Sequence, residues 1–138
     1  MDNKYKISFD MDGTLHVPMI RILAKILVDS GHDIWVLTAR WDDTAFDENG
    51  KRIGHLGQNY DLRTICRKIG IPEEKILFTN GALKEKIYFE QGFDMHFDDQ
   101  LQEVEEINKK GGNAVLVDGR VSDLKDQIQM IEWFTNKE

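Results

Sequence analysis

Short apolar runs alternate with longer amphipathic stretches along this chain of 138 residues. The runs have the length of buried strands, whereas the stretches place apolar residues at every third or fourth position, as helices do. The runs predict five strands, at residues 5–9, 34–37, 75–79, 93–97 and 114–117. The stretches predict five helices, at residues 18–29, 60–69, 83–91, 101–110 and 124–134. Glycines and prolines fall between most of these elements, where turns are expected.

The alternation of strand and helix predicts the fold class. A strand that returns to its sheet through a helix lies parallel to its predecessor, so we expect an α/β fold with a Rossmann-like, doubly wound, parallel sheet of five strands. Residues 1–138 are expected to form one domain, since no repeat or linker interrupts the pattern. Residues 41–59 differ, because they show no apolar period and carry an Asn49-Gly50 turn signal. They predict a loop, with at most a small hairpin at that turn.

Polar side chains stand at the carboxyl ends of the first four predicted strands. Parallel strands bring these ends to one edge of the sheet, where α/β proteins bind their ligands. The residues concerned are Asp10, Asp12, Thr38, Thr79, Asn80, Asp98 and Asp99. Carboxylates that lie close together repel one another unless a bound cation or a shared proton reduces their negative charge. Oxygen ligands of this kind suit Mg²⁺, which retains water and accepts a substrate phosphate.

A lysine beside these carboxylates would neutralise them and a phosphoryl group together. Lys84 and Lys86 both precede the fourth predicted strand. Ile87 and Tyr88 follow Lys84 at helical spacings of three and four residues, which turns Lys84 toward the strand ends and Lys86 outward. We therefore expect Lys84 in the site, with two solvated surface lysines as the alternative.

Other polar residues have an ordinary interpretation beside the functional one. Arg40 suits bidentate binding of a phosphate, but a solvent-exposed loop arginine is equally expected at that position. Asp42 and Asp43 are expected to be solvated, because they lie in the long polar loop. His96 alternates with apolar residues in a predicted strand, which favours a buried histidine with its hydrogen bonds satisfied over a metal ligand.

Composition limits the classes of function. The formal charge of −7 disfavours a general nucleic-acid-binding surface without excluding a local basic cleft. The single cysteine, Cys66, cannot form an internal disulfide, which fits a reducing compartment. The chain shows no signal-peptide pattern and no apolar run long enough for a membrane span, so we expect a soluble, cytoplasmic protein. Cys66, Trp35 and Trp133 are expected to pack in the core.

Four short motifs carry a family resemblance. The stretch FDMDGTL at residues 9–15, VLT at 36–38, a lysine before the fourth strand, and FDD at 97–99 occur in that order. They resemble the four motifs of the haloacid dehalogenase (HAD) superfamily over residues 4 to about 117. The first motif is highly specific and the last moderately so, whereas the threonine and lysine motifs depend on order and spacing.

The resemblance implies a role for each matching residue. Asp10 would attack phosphorus and form an aspartyl-phosphate, and Asp12 would act as the general acid and base. Such an acid at the second position separates the phosphatases of this superfamily from its dehalogenases. Thr38 and Lys84 would complete the catalytic set. Mg²⁺ would be held by Asp10, the backbone carbonyl of Asp12, Asp98 and Asp99, and the substrate-binding residues would be Gly13, Thr14, Ala39 and Arg40.

The spacing of these motifs resembles that of members without a cap domain. Neither of the usual insertion points, after the first motif or before the last, has room for a domain. The site is then open unless a neighbouring subunit of a homo-oligomer covers it. The loop at about 41–59 borders the site edge and is the candidate for substrate recognition.

The expected function is that of a Mg²⁺-dependent phosphomonoester phosphatase acting on a small phosphorylated metabolite, a sugar phosphate or a nucleotide. A phosphatase of nucleic-acid ends or phosphoproteins is the first alternative, with nucleic acid disfavoured by the net acidity. A receiver-like signalling module has similar residue types, but its acid pair comes first in the chain and its phosphoacceptor later. A non-catalytic phosphate-binding domain is the last alternative, although all the catalytic residue types are present.

Overall fold

The computed structural model describes residues 4–117. Five strands form one sheet: β1 Lys6–Phe9, β2 Asp33–Thr38, β3 Ile76–Phe78, β4 Met95–Asp98 and β5 Ala114–Leu116. In the same residues, four helices flank the sheet: α1 Pro18–Asp29, α2 Tyr60–Ile69, α3 Glu85–Gln91 and α4 Leu101–Lys109. The helix expected at residues 124–134, and with it Trp133, lies outside the described residues.

All neighbouring strands run parallel, in the order β3-β2-β1-β4-β5. This confirms the α/β class and the Rossmann-like, doubly wound sheet. The chain moves outward from β1 through β2 to β3 and then returns to the other side of β1 as β4. Ligands of such sheets bind beyond the carboxyl ends of the strands at this switch point. The ends of β1 and β4 therefore position the candidate site.

Helices cover both faces of the sheet. Leu27 of α1 packs in the core of one face, and Ile107 of α4 packs in the core of the other. Because successive side chains of a strand point to opposite faces, Val36 and Leu37 of β2 enter one core each. Strands buried on both sides in this way explain the continuous apolar runs of the sequence.

The expected bounds of α1 and α2 are confirmed, whereas α3 begins two residues later than expected. The backbone N–H of Lys84, just before α3, donates to the side chain of Glu103 at 3.0 Å. Cys66 is buried, as expected. Trp35 is only half-buried: it packs against the edge of one core, and the ammonium group of Lys6 lies 4.5 Å from its ring centroid.

Residues 41–59 form a long loop between β2 and α2, as predicted, and an antiparallel bridge between Phe46 and Arg52 closes a small hairpin around the Asn49-Gly50 turn. The expectation that Asp43 is solvated is wrong. Its side chain is 1% exposed, and Asp43 Oδ1 lies 2.7 Å from Arg63 Nη1 in α2. Burial would raise the pKa of Asp43, but the hydrogen bonds from Arg63 and Asn59 lower it overall. Sequence pattern does not show this pair, because Arg63 lies 20 residues further along the chain.

Within residues 4–117, α1 is the only regular helix between β1 and β2, and α3 the only one between β3 and β4. Neither connection holds a further domain in this part of the chain. None of the helices in this part of the chain is both long and apolar enough to cross a membrane.

Candidate functional site

The turn after β1 carries the first acidic pair to the switch point. The backbone N–H of Asp10 donates to the carbonyl of Phe97 in β4 at 2.8 Å, which holds the two strand ends together. The turn then bends at Gly13, whose φ of +74° lies in the left-handed region. A β-carbon at Gly13 would lie 2.0 Å from Asp99 Oδ2. Glycine is therefore required for the carboxylate of Asp99 to approach the turn so closely.

Three carboxylates meet where β1 and β4 end. One oxygen from each of Asp10, Asp98 and Asp99 lies within 4.8 Å of the other two. Lys84 Nζ donates to Asp10 Oδ1 at 2.7 Å and to Asp98 Oδ2 at 2.5 Å. The Lys84 side chain is 2% exposed, whereas Lys86 is exposed. Of the two candidates, Lys84 is thus the lysine that lies in the cluster.

Burial and charge act in opposite directions on these groups. Burial raises the pKa of Asp10 to about 8, against the attraction of Lys84 and with the repulsion of Asp98 adding to the rise. Burial also opposes ionisation of Asp98, but the His96 hydrogen bond and the Lys84 charge outweigh it, and the pKa of Asp98 falls. For Lys84, the two carboxylates outweigh burial and raise the pKa, so the side chain stays cationic.

Asp99 gives the most direct indication that a cation fits the cluster. Its Oδ1 atom is buried, and no hydrogen-bond donor reaches it within residues 4–117. After burial and the neighbouring charges, a hydrogen bond with the Asp99 side chain adds to the raised pKa of Asp10. A cation relieves two such carboxylates in the same way as a shared proton. The all-oxygen donor set is the kind that a hard divalent cation such as Mg²⁺ prefers.

A buried histidine lies behind this cluster. His96 Nε2 is 2.8 Å from Asp98 Oδ2, and His96 Nδ1 is 2.7 Å from Ser8 Oγ. Burial lowers the pKa of His96, although its hydrogen bond to Asp98 opposes the shift. The expectation of a buried, hydrogen-bonded histidine is confirmed, and both ring nitrogens have partners.

Asp12 is held at the mouth of the site by Arg40. Arg40 Nε donates to Asp12 Oδ2 at 3.0 Å, and Arg40 Nη2 donates to Asp12 Oδ1 at 2.8 Å. The Asp12 side chain is 61% exposed, and the hydrogen bond from Arg40 holds its pKa below the usual range. Arg40 also donates to both carboxylate oxygens of Asp61, at 2.8 and 2.9 Å. Because its side chain is only 16% exposed, Arg40 is not a solvated loop arginine.

The other predicted site residues surround the same strand ends. Thr38 closes β2 with 1% exposure, and its Oγ1 accepts the backbone N–H of Arg40 at 3.2 Å. Thr14 is fully buried, and its hydroxyl has no hydrogen-bond partner in the described part of the chain. Thr14 does not line the cavity described below, whereas Ala39 does.

An open cavity of about 330 Å³ lies over the strand ends. It is lined by Asp10, Asp12, Ala39, Leu83, Lys84, Asp99, Gln100, Gln102 and Glu103. Five of the predicted site residues therefore share its wall, whereas the other five do not line it: Gly13, Thr14, Thr38, Arg40 and Asp98. A phosphate ester entering this cavity meets carboxylates, so it needs cations or protons to bind.

Sequence reasoning missed two acidic residues of the site. Glu103 is 6% exposed and accepts the Lys84 backbone N–H, which anchors the start of α3. Its position four residues before Ile107, on the apolar stripe of α4, was the available signal. Asp61, which also lies 3.0 Å from His16 Nε2, carried no comparable signal because its partners come from distant segments.

Comparisons with protein-family models and with curated proteins find no match. Among solved structures, a hypothetical protein from Pyrococcus horikoshii aligns with 97% of this chain at 21% identity and a TM-score of 0.36. The chain spans 46% of the length of that protein. A resemblance this distant supports no argument about function.

Proposed function

We propose that this protein is a Mg²⁺-dependent phosphomonoester phosphatase of the haloacid dehalogenase type, acting on a small phosphorylated metabolite. The observation that carries the proposal is the buried contact of Lys84 with Asp10 and Asp98, beside the unpartnered oxygen of Asp99. Natural proteins rarely bury such charge without a function for it, because an ion pair of this kind contributes little net stability.

The side chains of Asp10, Asp98 and Asp99 and the backbone carbonyl of Asp12 would hold the metal. When bound, Mg²⁺ neutralises carboxylate and phosphate charge in the same place. Lys84 supplies a second positive charge to the phosphoryl group, and Thr38 supplies a hydroxyl donor to one of its oxygens.

The reaction divides into two displacements at phosphorus. In the first, a carboxylate oxygen of Asp10 attacks phosphorus while the bond to the ester oxygen breaks, and Asp12 gives that oxygen a proton. In the second, Asp12 takes a proton from water, the water oxygen attacks phosphorus, and Asp10 leaves with its bonding electron pair. The products are an alcohol and inorganic phosphate.

The contact between Asp12 and Arg40 favours the second displacement. Ionised Asp12 is the base that the water needs, and Arg40 keeps it ionised. The first displacement needs a protonated Asp12, so the contact has to open when the ester binds. The released guanidinium suits bidentate binding of a phosphate.

The test is hydrolysis of p-nitrophenyl phosphate and a panel of sugar phosphates and nucleotides, with Mg²⁺ and with EDTA. We expect metal-dependent turnover in the wild type and a loss of at least about a thousandfold in Asp10→Asn. Asp29→Asn is the matched control, because Asp29 is 61% exposed on α1, where it pairs with Lys25. Folded wild-type protein that hydrolyses no ester of the panel would overturn the proposal, as would full activity in Asp10→Asn.

A further inference from the structure

We propose that His96, backed by Ser8, is a positioning residue that orients Asp98 for a divalent cation and thereby sets the metal affinity of the cluster. The inference rests on the metal site of the proposed function, but it does not depend on turnover.

The pair occupies an unusual place for polar side chains. Ser8 of β1 and His96 of β4 are register partners in the sheet, and both are fully buried. Their neighbours along the strands, Ile7 and Phe97, belong to the apolar core of the opposite face. Burying a hydroxyl and an imidazole is unfavourable unless each finds a partner.

The hydrogen bonds determine which nitrogen of His96 carries the proton. Asp98 Oδ2 accepts from the ammonium group of Lys84, and a carboxylate oxygen has only lone pairs to offer, so His96 Nε2 is the donor in the 2.8 Å contact. In the neutral ring Nδ1 is then an acceptor, and Ser8 Oγ donates to it at 2.7 Å. Asp98 thus selects the tautomer, and Ser8 supports it by supplying the donor that the buried Nδ1 atom needs.

This arrangement leaves one acceptor position on Asp98 for a cation. A carboxylate offers about four lone pairs. His96 and Lys84 use those of Oδ2, and the backbone N–H of Gln100 uses one of Oδ1 at 3.0 Å. Because the Asp98 side chain is completely buried, these three donors fix its orientation. The remaining lone pair belongs to Oδ1.

The experiment is calorimetric titration of the full-length protein with Mg²⁺, in the absence of any ester. His96→Leu removes the donor at similar volume, His96→Gln replaces Nε2–H with an amide N–H, and Ser8→Ala removes only the hydroxyl. We expect His96→Leu to bind Mg²⁺ about 10- to 100-fold more weakly. His96→Gln should stay within about threefold of the wild type, and Ser8→Ala should fall between the two variants.

Circular dichroism and the metal-free melting temperature show whether each variant is folded. A purely structural role predicts lower melting temperatures with unchanged Mg²⁺ affinity in the folded variants, and that result overturns the inference. If His96→Leu does not fold, the Mg²⁺ affinity of Ser8→Ala becomes the deciding measurement. A Ser8→Ala variant that binds Mg²⁺ as tightly as the wild type also overturns the inference.

Two outcomes separate this inference from the proposed function. If the wild type binds Mg²⁺ but hydrolyses no ester, the phosphatase proposal fails and the titrations alone decide the role of His96. If the wild type does not bind Mg²⁺ at millimolar concentration, the inference is overturned.

Discussion

Replacing Lys84 with methionine removes the only positive charge found in contact with the acidic cluster in the described part of the chain. Methionine keeps most of the volume of the buried stem, so the main loss is electrostatic. Asp10 and Asp98 are then buried without their partner, and breaking a buried ion pair in this way destabilises a protein by about 3–5 kcal/mol. Urea unfolding of the metal-free protein should show this loss as a lower transition midpoint at an unchanged slope.

Mg²⁺ should restore part of that stability, because it supplies positive charge to the same carboxylates and binds only the folded state. Stabilisation by a ligand grows with its concentration, to about 2.7 kcal/mol at one hundred times its dissociation constant. We therefore expect the gain on adding saturating Mg²⁺ to be larger in Lys84→Met than in the wild type.

Lys86→Met is the matched control, since Lys86 is an exposed lysine only two residues further along the chain, in α3. It should change the free energy of unfolding by no more than about 0.5 kcal/mol. If metal-free Lys84→Met is as stable as Lys86→Met, the cluster does not depend on Lys84 for its charge balance, and the argument from burial is refuted.

Two further predictions concern groups outside the acidic cluster. The Arg40 hydrogen bond holds the pKa of Asp61 well below its usual range, so Asp61 contributes stability above pH about 4 that is lost at lower pH. Arg40→Met should lower the free energy of unfolding by about 1 kcal/mol at pH 7. Urea unfolding should show that the difference in stability between variant and wild type shrinks below pH 4. A difference that stays constant with pH contradicts the prediction. Burial raises the pKa of Cys66 to about 12, so a thiol reagent at pH 8 should react about a thousandfold more slowly than with a free thiol. Fast labelling of native protein would show that Cys66 is accessible.

Periodic patterns in the sequence predicted most of the fold. The apolar stripes of α1 and α2 reproduce their bounds, because a helix that covers a sheet buries one face and repeats that face at regular intervals. The apolar runs predicted the ends of the strands less well. The run at residues 34–37 stops before Thr38, but β2 extends through Thr38 because its backbone pairing with β3 continues to that residue.

The order of strands along the chain predicted the candidate site in outline. Parallel strands place their carboxyl ends together, so Asp10, Asp98 and Asp99 were expected at one edge before any contact was known. The choice of Lys84 over Lys86 followed from helical spacing. The catalytic roles of these residues are still predictions.

Contacts between distant segments depended on tertiary structure alone. Asp43 and Arg63 form a buried pair across the loop, and Arg40 connects Asp12 to Asp61. Nothing in local spacing indicates such partners, because each pair is brought together by the packing of separate elements.

The sequence by itself determined which residues enter strands and helices, which acids reach the switch point, and the order of the motifs, since these follow from local periodicity and chain order. Tertiary structure alone decided which atoms meet and which are buried. Burial raises the pKa of Asp10 to about 8, and packing places Ser8 behind His96 and Asp98. Ionisation and hydrogen bonding depend on distance and solvent access, and neither is a property of the order of residues.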